Sequence, residues 1–108
     1  MPNDKPIPDT EPDVTNLIKT VLLKAQAGTL DASPFTAESW NRFFFPADFV
    51  RSFLTSMGAF KSIALLSRKE EDGKRYYSYQ VVFGETRLSV TCTLTKEGKI
   101  SEMGIGKD

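Results

Sequence analysis

The stretch "YYSYQVVFGETRLSVTCTLTKEGKISEMGI", residues 76–105, carries the clearest structural signal of the chain. Apolar and polar residues alternate along it, and glycine-containing turns interrupt the alternation. A period of two is typical of β-strands that have one buried face. The residues expected on that buried face are Tyr77, Tyr79, Val81, Phe83, Leu88, Val90, Cys92 and Leu94.

Two turns divide this stretch into three strands. "GET", residues 84–86, is the first turn, and "TKEGK", residues 95–99, is the second, with Gly98 at a left-handed position. The last strand then covers residues 99–105. The sequence does not decide which face of this strand is buried. Gly104 could mark a bulge that switches the alternation, or both faces could be partly covered.

The alternation also extends towards the N-terminus. "FKSIALLSRK", residues 60–69, predicts an earlier strand, and "EEDG", residues 70–73, predicts a turn in which Gly73 takes positive φ. Four strands joined by short turns form an antiparallel meander. The residues expected on its open face are Ser62, Ala64, Leu66, Ser78, Gln80, Val82, Ser89, Thr91 and Thr93.

The N-terminal half has helical spacing. Apolar residues recur every three or four positions between residues 14 and 25, with Thr10 as the expected N-cap, Pro12 in the first turn and Gly28 at the end. "TAESWNRFF", residues 36–44, predicts a short second helix capped by Thr36. A third helix is expected to begin near Pro46 and to end at Gly58.

These patterns predict an α+β fold in which three N-terminal helices pack on a curved four-stranded antiparallel meander sheet. Residues 1–12 contain four prolines and predict a flexible linker or tail, and residues 13–108 predict a single domain.

Composition excludes several functions. Fourteen basic and fourteen acidic residues give a net charge of zero, which argues against nucleic-acid binding and against an anionic membrane surface. No apolar run approaches the roughly 20 residues of a membrane span. The chain has no histidine, which is the commonest catalytic metal ligand, and its single cysteine, expected to be buried, allows no internal disulfide. Glu70, Glu71 and Asp72 could bind a divalent cation, but nothing in the sequence fixes their geometry, so no metal and no cofactor are expected.

Three segments resemble a known family. They are "FTAESWNRFF" (residues 35–44), "SMGAFKSIALLSRKEEDGKRYYSYQVVFG" (56–84) and "LTKEGKISEMGI" (94–105). The pattern resembles the nuclear transport factor 2-like superfamily of cystatin-like folds, over residues 14–106. More narrowly, it is similar to C-terminal accessory domains of bacterial serine beta-lactamase-related hydrolases. Usual members place strands before the third helix and this chain does not, so the resemblance implies a reduced cone with a smaller or absent pocket.

Aromatic residues are the first candidates for a site. They form either the packed core or the wall of a pocket for a small apolar ligand, or an exposed patch that docks on a partner. The candidate ligand-binding residues are Trp40, Phe44, Phe49, Phe53, Tyr77 and Tyr79.

No catalytic set stands out. The resemblance also includes ketosteroid-isomerase-like enzymes, in which a tyrosine hydroxyl polarises a carbonyl and a carboxylate acts as the base. In this chain the weak candidates are Tyr77 or Tyr79 for the hydroxyl and Asp48 for the base. The expected roles of these residues are different: the tyrosines belong to the core, and Asp48 is an acidic residue in the first turn of a helix.

Arginine side chains occur on several separate elements. One of Arg51, Arg68, Arg75 and Arg87 could bind a carboxylate, although solvated surface is the expected role, and the charged run 68–75 is expected at a solvated hairpin tip.

The sequence therefore predicts a non-catalytic accessory or assembly module of a bacterial protein. Its expected partner is a second copy in a homodimer, through the open sheet face, or an adjacent hydrolase-like domain. A small apolar ligand is the alternative, followed by isomerase or dehydratase chemistry. Localisation stays open between an exported or periplasmic mature form and a cytoplasmic protein.

Overall fold

Helices precede strands, as the change of period predicts. The structure is a computed structural model that describes residues 6–29, 31–43 and 47–107, without the side chains of residues 42, 43, 47–50 and 107. The elements are α1 (Pro12–Ala27), α2 (Ala37–Phe43), α3 (Ala47–Thr55), β1 (Phe60–Glu71), β2 (Lys74–Phe83), β3 (Thr86–Leu94) and β4 (Ile100–Lys107). The strands form one open antiparallel sheet in the order β1-β2-β3-β4. The fold is therefore α+β, with short second and third helices.

Helix α1 begins one residue later than predicted. Glu11, not Thr10, is at the N-cap position, and its side chain makes no capping bond. The cause is Pro12 at the first helical position together with Asp9, whose Oδ1 accepts the Glu11 N–H at 3.0 Å. At the other end Gly28 has φ of 77°, and this confirms the predicted C-terminus.

The second and third helices are brief. Thr36 Oγ1 accepts the Ser39 N–H at 3.2 Å, so the predicted cap of α2 is confirmed. Pro46, where the third helix was expected to start, lies outside the described residues. Helix α3 ends at Thr55, and a turn then brings the chain to Gly58 with φ of 95°.

The first hairpin is tighter than predicted. Strand β1 continues to Glu71, which pairs with Lys74, so the turn is Asp72 and Gly73 alone and not residues 70–73. Both turn residues have positive φ, 54° and 81°, and a two-residue turn of this kind follows the right-handed twist of paired strands.

An irregularity in β1 changes which residues face outward. The register steps from Leu65 opposite Tyr79 to Ser67 opposite Ser78, and Leu66 is the extra residue. Leu66 was expected on the open face, but as the extra residue of the bulge it lies outside the regular alternation. Beyond the bulge, Arg68 lies opposite Tyr77 and shares its side of the sheet.

A bulge between β3 and β4 determines which face of β4 is buried. Thr93 pairs with Glu102 but Leu94 pairs with Ile100, so Ser101 is the extra residue. The expected phase switch thus lies at Ser101 and not at Gly104. It places Ile100, Met103 and Ile105 on one side, opposite Leu94, Cys92 and Val90 of β3.

The described core joins the sheet to α1. Helix α1 contacts α3 and β1, and α2 contacts β4. The eight residues predicted on the buried face of β2 and β3 are all at most 3% exposed. The other core members are Val14, Ile18, Val21, Leu22, Ala25, Phe35, Leu54, Leu65 and Ile100.

Candidate functional site

Four side chains converge where the chain enters α1: Glu11, Arg68, Arg75 and Tyr77, called here the Glu11 cluster. Arg68 Nε donates to Glu11 Oε1, and Arg75 Nη1 donates to Glu11 Oε2 at 3.2 Å. The Tyr77 hydroxyl lies 3.1 Å from both carboxylate oxygens. The Arg68 guanidinium also lies over the Tyr77 ring, 5.9 Å from its centroid.

The strand register explains this convergence. Arg68 is directly opposite Tyr77, and Arg75 is two residues from Tyr77 on the same strand, so all three project to one side at one end of the β1–β2 hairpin. The start of α1 brings Glu11 to the same end. Two cations and one hydroxyl therefore surround a single carboxylate.

A second polar contact lies beside the cluster. Thr15 Oγ1 donates to Asp9 Oδ2 at 2.5 Å and lies 3.2 Å from the Tyr79 hydroxyl. The rings of Tyr77 and Tyr79 are stacked, with centroids 6.3 Å apart. Both tyrosines are buried, and both hydroxyls point towards the beginning of α1.

The surroundings shift the titration of these groups. Burial alone would raise the pKa of Glu11, but hydrogen bonds from Arg68, Tyr77 and Arg75 and the charge of Arg68 outweigh it, so the pKa lies below its ordinary value of 4.5. Burial, followed by the bond to Glu11, raises the pKa of Tyr77. Burial raises the pKa of Tyr79 to about 12.

These directions limit the chemistry of the Glu11 cluster. A carboxylate that accepts bonds from two guanidinium groups is a weak proton acceptor, and a tyrosine with a raised pKa stays neutral at physiological pH. The arrangement is suited to holding the segment before α1 against the hairpin. The backbone of that segment also contacts β1, because the Ile7 N–H donates to the Leu65 carbonyl at 2.9 Å.

Sequence reasoning missed Glu11, which was assigned to the linker. It also expected Arg68 and Arg75 in solvent, but each is paired with Glu11, and their side chains are only 31% and 25% exposed. The sequence signal that could have found this site is the two-residue turn at Asp72 and Gly73. This turn sets residue 68 opposite residue 77, and it therefore places the two arginines beside a tyrosine.

The predicted aromatic residues lie in different places. Trp40 packs on Phe35 with ring centroids 5.4 Å apart, and it is partly buried against the core, as is Phe53. Tyr77 and Tyr79 lie together on β2. Phe44 lies outside the described residues, and the structure does not describe the side chains of Asp48 and Phe49. The pocket and the catalytic pair assigned to these residues stay predictions.

The face of the sheet opposite the core is partly exposed. By register it carries Ser62, Ala64, Ser78, Gln80, Val82, Ser89 and Thr91, here called the open face. These residues are small or uncharged. Charged side chains occur at its margins, with Arg87 opposite Val82 at one end and Glu102 opposite Thr93 at the other, where Lys69 lies in the same cross-strand row.

Other kinds of site are not observed in the described ranges. Cys92 is buried and unpaired, and burial raises the pKa of its thiol to about 12, so it stays protonated. Within residues 6–29, 31–43 and 47–107, no three histidine, cysteine or carboxylate side chains are placed to hold a metal. Over the same ranges, no helix has the length and apolar character needed to cross a membrane.

Comparison of the chain with models of protein families, with curated proteins and with solved structures gives no match. The function is therefore argued from the geometry of the chain itself.

Proposed function

We propose that this chain is a non-catalytic accessory or assembly module of a bacterial protein, and that it binds a second copy of itself through the open face. An adjacent hydrolase-like domain is the other partner that such a face would accept. The resemblance to small nuclear transport factor 2-like, cystatin-like domains belongs to this proposal. Its support is the order of elements, helices first and an antiparallel meander after them.

The observation that carries the proposal is the contrast between the two sides of the sheet. The core side is buried against apolar residues of the helices, whereas the open face has small, uncharged and partly exposed side chains at its centre. Burying such side chains against another protein has a low desolvation cost, because no charge loses its hydration. Small side chains also let two sheets approach to the roughly 10 Å of face-to-face packing.

Charge at the margins favours a second copy. Thr93, the residue opposite Glu102, is six residues from Arg87 along β3. This separation is about 20 Å at ~3.3 Å per residue. In a two-fold contact that brings opposite ends of the two faces together, Arg87 of one copy would lie near Glu102 of the other. A neutral centre with Arg87 at one margin and Glu102 at the other, beside Lys69 in the same row, allows this two-fold pairing of charges.

The mass of the protein in solution tests the proposal. We expect native mass spectrometry to show twice the 12.1 kDa chain mass, and Ser78→Arg to give a monomer because it places a charge at the centre of the contact. Ser52→Arg is the matched control, since Ser52 is exposed on α3 and lies away from the sheet. A wild-type protein that stays monomeric at every concentration would exclude the second copy as partner.

The same spectrum addresses the alternative function. Trp40 and Phe53 are only partly buried beside the core, which is the observation that favours a small apolar ligand. Such a ligand, bound with the other predicted aromatic residues, would appear as added mass on the chain. A spectrum of the bare chain would leave no support for that alternative.

A further inference from the structure

A groove lies where the open face meets α2, at the β3–β4 side of the sheet. Its volume is about 450 Å³, which is within the range of small-molecule sites. The described residues that line it are Ser39, Thr91, Thr93, Ser101, Glu102, Met103 and Gly104. The aromatic residues predicted to bind an apolar ligand are not part of this lining.

The wall of the groove is firmly attached to the sheet. Ser39 Oγ donates to the Ile100 carbonyl at 2.5 Å, and the Thr36 N–H donates to the same carbonyl at 3.0 Å. The Ile100 N–H in turn donates to the Pro34 carbonyl at 2.8 Å. These bonds hold the start of α2 beside β4, at the position where the Ser101 bulge interrupts the strand.

The floor of the groove depends on a glycine. Gly104 lies opposite Thr91, and a Cβ atom at position 104 would come within 3.0 Å of Thr91 Oγ1. Any larger residue would therefore occupy the space above the two strands. Glycine at this position keeps the groove open.

Hydroxyl groups in the groove are available to a ligand. Thr93 is only 7% exposed, and within the described part of the chain neither its hydroxyl nor that of Thr91 makes a hydrogen bond. Every fully buried side-chain nitrogen or oxygen in that part of the chain has a hydrogen-bond partner. Because the Thr93 hydroxyl has none there, it is not fully buried and is accessible from the groove. The Ser101 hydroxyl donates to the Thr93 carbonyl at 3.3 Å and still has lone pairs to accept a bond.

The charge of the lining selects the ligand. Glu102 is the one ionisable side chain among the described lining residues, and no lysine or arginine accompanies it there. Accessible hydroxyls with open hydrogen-bonding positions and an adjacent carboxylate favour a molecule with hydroxyls and a positive charge. An anion would be repelled.

We propose that this groove binds a small polyhydroxylated amine, such as an amino sugar or an amino alcohol. The ammonium group pairs with Glu102, and the hydroxyls of the ligand bond to Thr91, Thr93 and Ser101. Thr91 and Glu102 also lie on the proposed contact between two copies, so a ligand and a second copy would compete for this part of the groove. The monomeric Ser78→Arg variant is therefore the form in which the groove is fully accessible.

Titration of the ¹⁵N-labelled protein with glucosamine tests the proposal, with glucose and citrate as neutral and anionic probes. We expect saturable shifts of the Thr91, Thr93 and Ser101–Gly104 amides with glucosamine, weaker binding of glucose and none of citrate. Glu102→Gln should weaken glucosamine binding roughly two- to fivefold. Glu97→Gln, the same change on the exposed β3–β4 turn, should leave it unchanged.

A filling variant completes the test. Gly104→Val should abolish binding, and the dispersion of its amide spectrum reports whether it is folded; if it is not, Glu102→Gln carries the test alone. Saturable binding by Ser78→Arg separates the groove from the dimer. Absence of saturable shifts at the groove, or equal affinity for glucosamine and glucose with no effect of Glu102→Gln, would overturn the proposal.

Discussion

The carboxylate of Glu11 accepts hydrogen bonds from side chains on two strands, and this makes the start of α1 sensitive to pH. Its pKa is lowered in the folded protein, so the folded state binds the proton less readily than the unfolded chain does. The resulting stabilisation is fully present above the unfolded pKa. It is lost as the pH falls through the folded pKa.

Glu11→Gln should therefore reduce stability at neutral pH and flatten its pH dependence. We expect the difference in thermal midpoint between the wild type and the variant to be largest near pH 7 and to shrink below the ordinary pKa of 4.5. Thermal unfolding at pH values from neutral to strongly acidic measures this difference. Glu97→Gln, which changes an exposed turn residue, is the control, and a constant difference for Glu11→Gln at all pH values would contradict the assignment.

At the scale of elements, the β3–β4 hairpin illustrates how local and distant contacts combine. Its turn is closed by the Thr95 N–H, which donates to Lys99, and by the Gly98 N–H, which donates to Thr95. Gly98 has φ of 85°, as the sequence predicted. The strand that follows is attached on its other edge to residues 34–36, which come from far earlier in the chain.

Gly98→Val should destabilise the protein by about 1–2 kcal/mol, because a β-branched residue disfavours positive φ. A Cβ atom at position 98 would meet nothing within 4 Å, so a loss of stability would report the backbone conformation and not a clash. Urea denaturation measures the change. Gly98→Asn should retain most of the stability, since asparagine tolerates this conformation, and an unchanged midpoint for the valine variant would show that the turn assignment is wrong.

At the scale of the whole molecule, α1 and the sheet share one described core. Leu22 of α1 and Tyr79, Val81 and Val90 of the sheet are all 0% exposed and belong to the same cluster. Neither layer could bury its apolar face alone, so the two layers are expected to fold and unfold together.

Leu22→Ala should lower the free energy of unfolding by about 2–5 kcal/mol, through lost burial and the cavity that remains. The fluorescence of Trp40, the single tryptophan, reports on α2, and far-UV circular dichroism reports on the whole chain. We expect both signals to change at one midpoint in the wild type and at one lower midpoint in the variant. Two separate transitions would show that the helices and the sheet are independent units.

The local elements could be predicted because their causes lie within a few residues. The apolar stripe of α1, the Thr36 cap, the alternation of β2 and β3 and the turn at Gly98 each follow from spacing or from backbone preference. The expected buried faces of β2 and β3 are confirmed residue by residue. The α+β class follows from these elements, because one face of an amphipathic sheet must be covered.

The Glu11 cluster and the bulges at Leu66 and Ser101 could not be predicted in the same way. Glu11 is 57 residues from Arg68 and 66 from Tyr77 along the chain, so its partners depend on how α1 docks on the hairpin. The extra residue at Ser101 reverses the phase of β4, and local alternation offered Gly104 equally well.

The sequence by itself thus determined the elements, their order and the buried faces of the two central strands, since these depend on neighbouring residues. Only the tertiary structure settled the partners of Glu11, the position of the β4 bulge and the groove beside Ser39. Each of these requires segments distant in the chain to meet at a defined register, and no local pattern specifies that register.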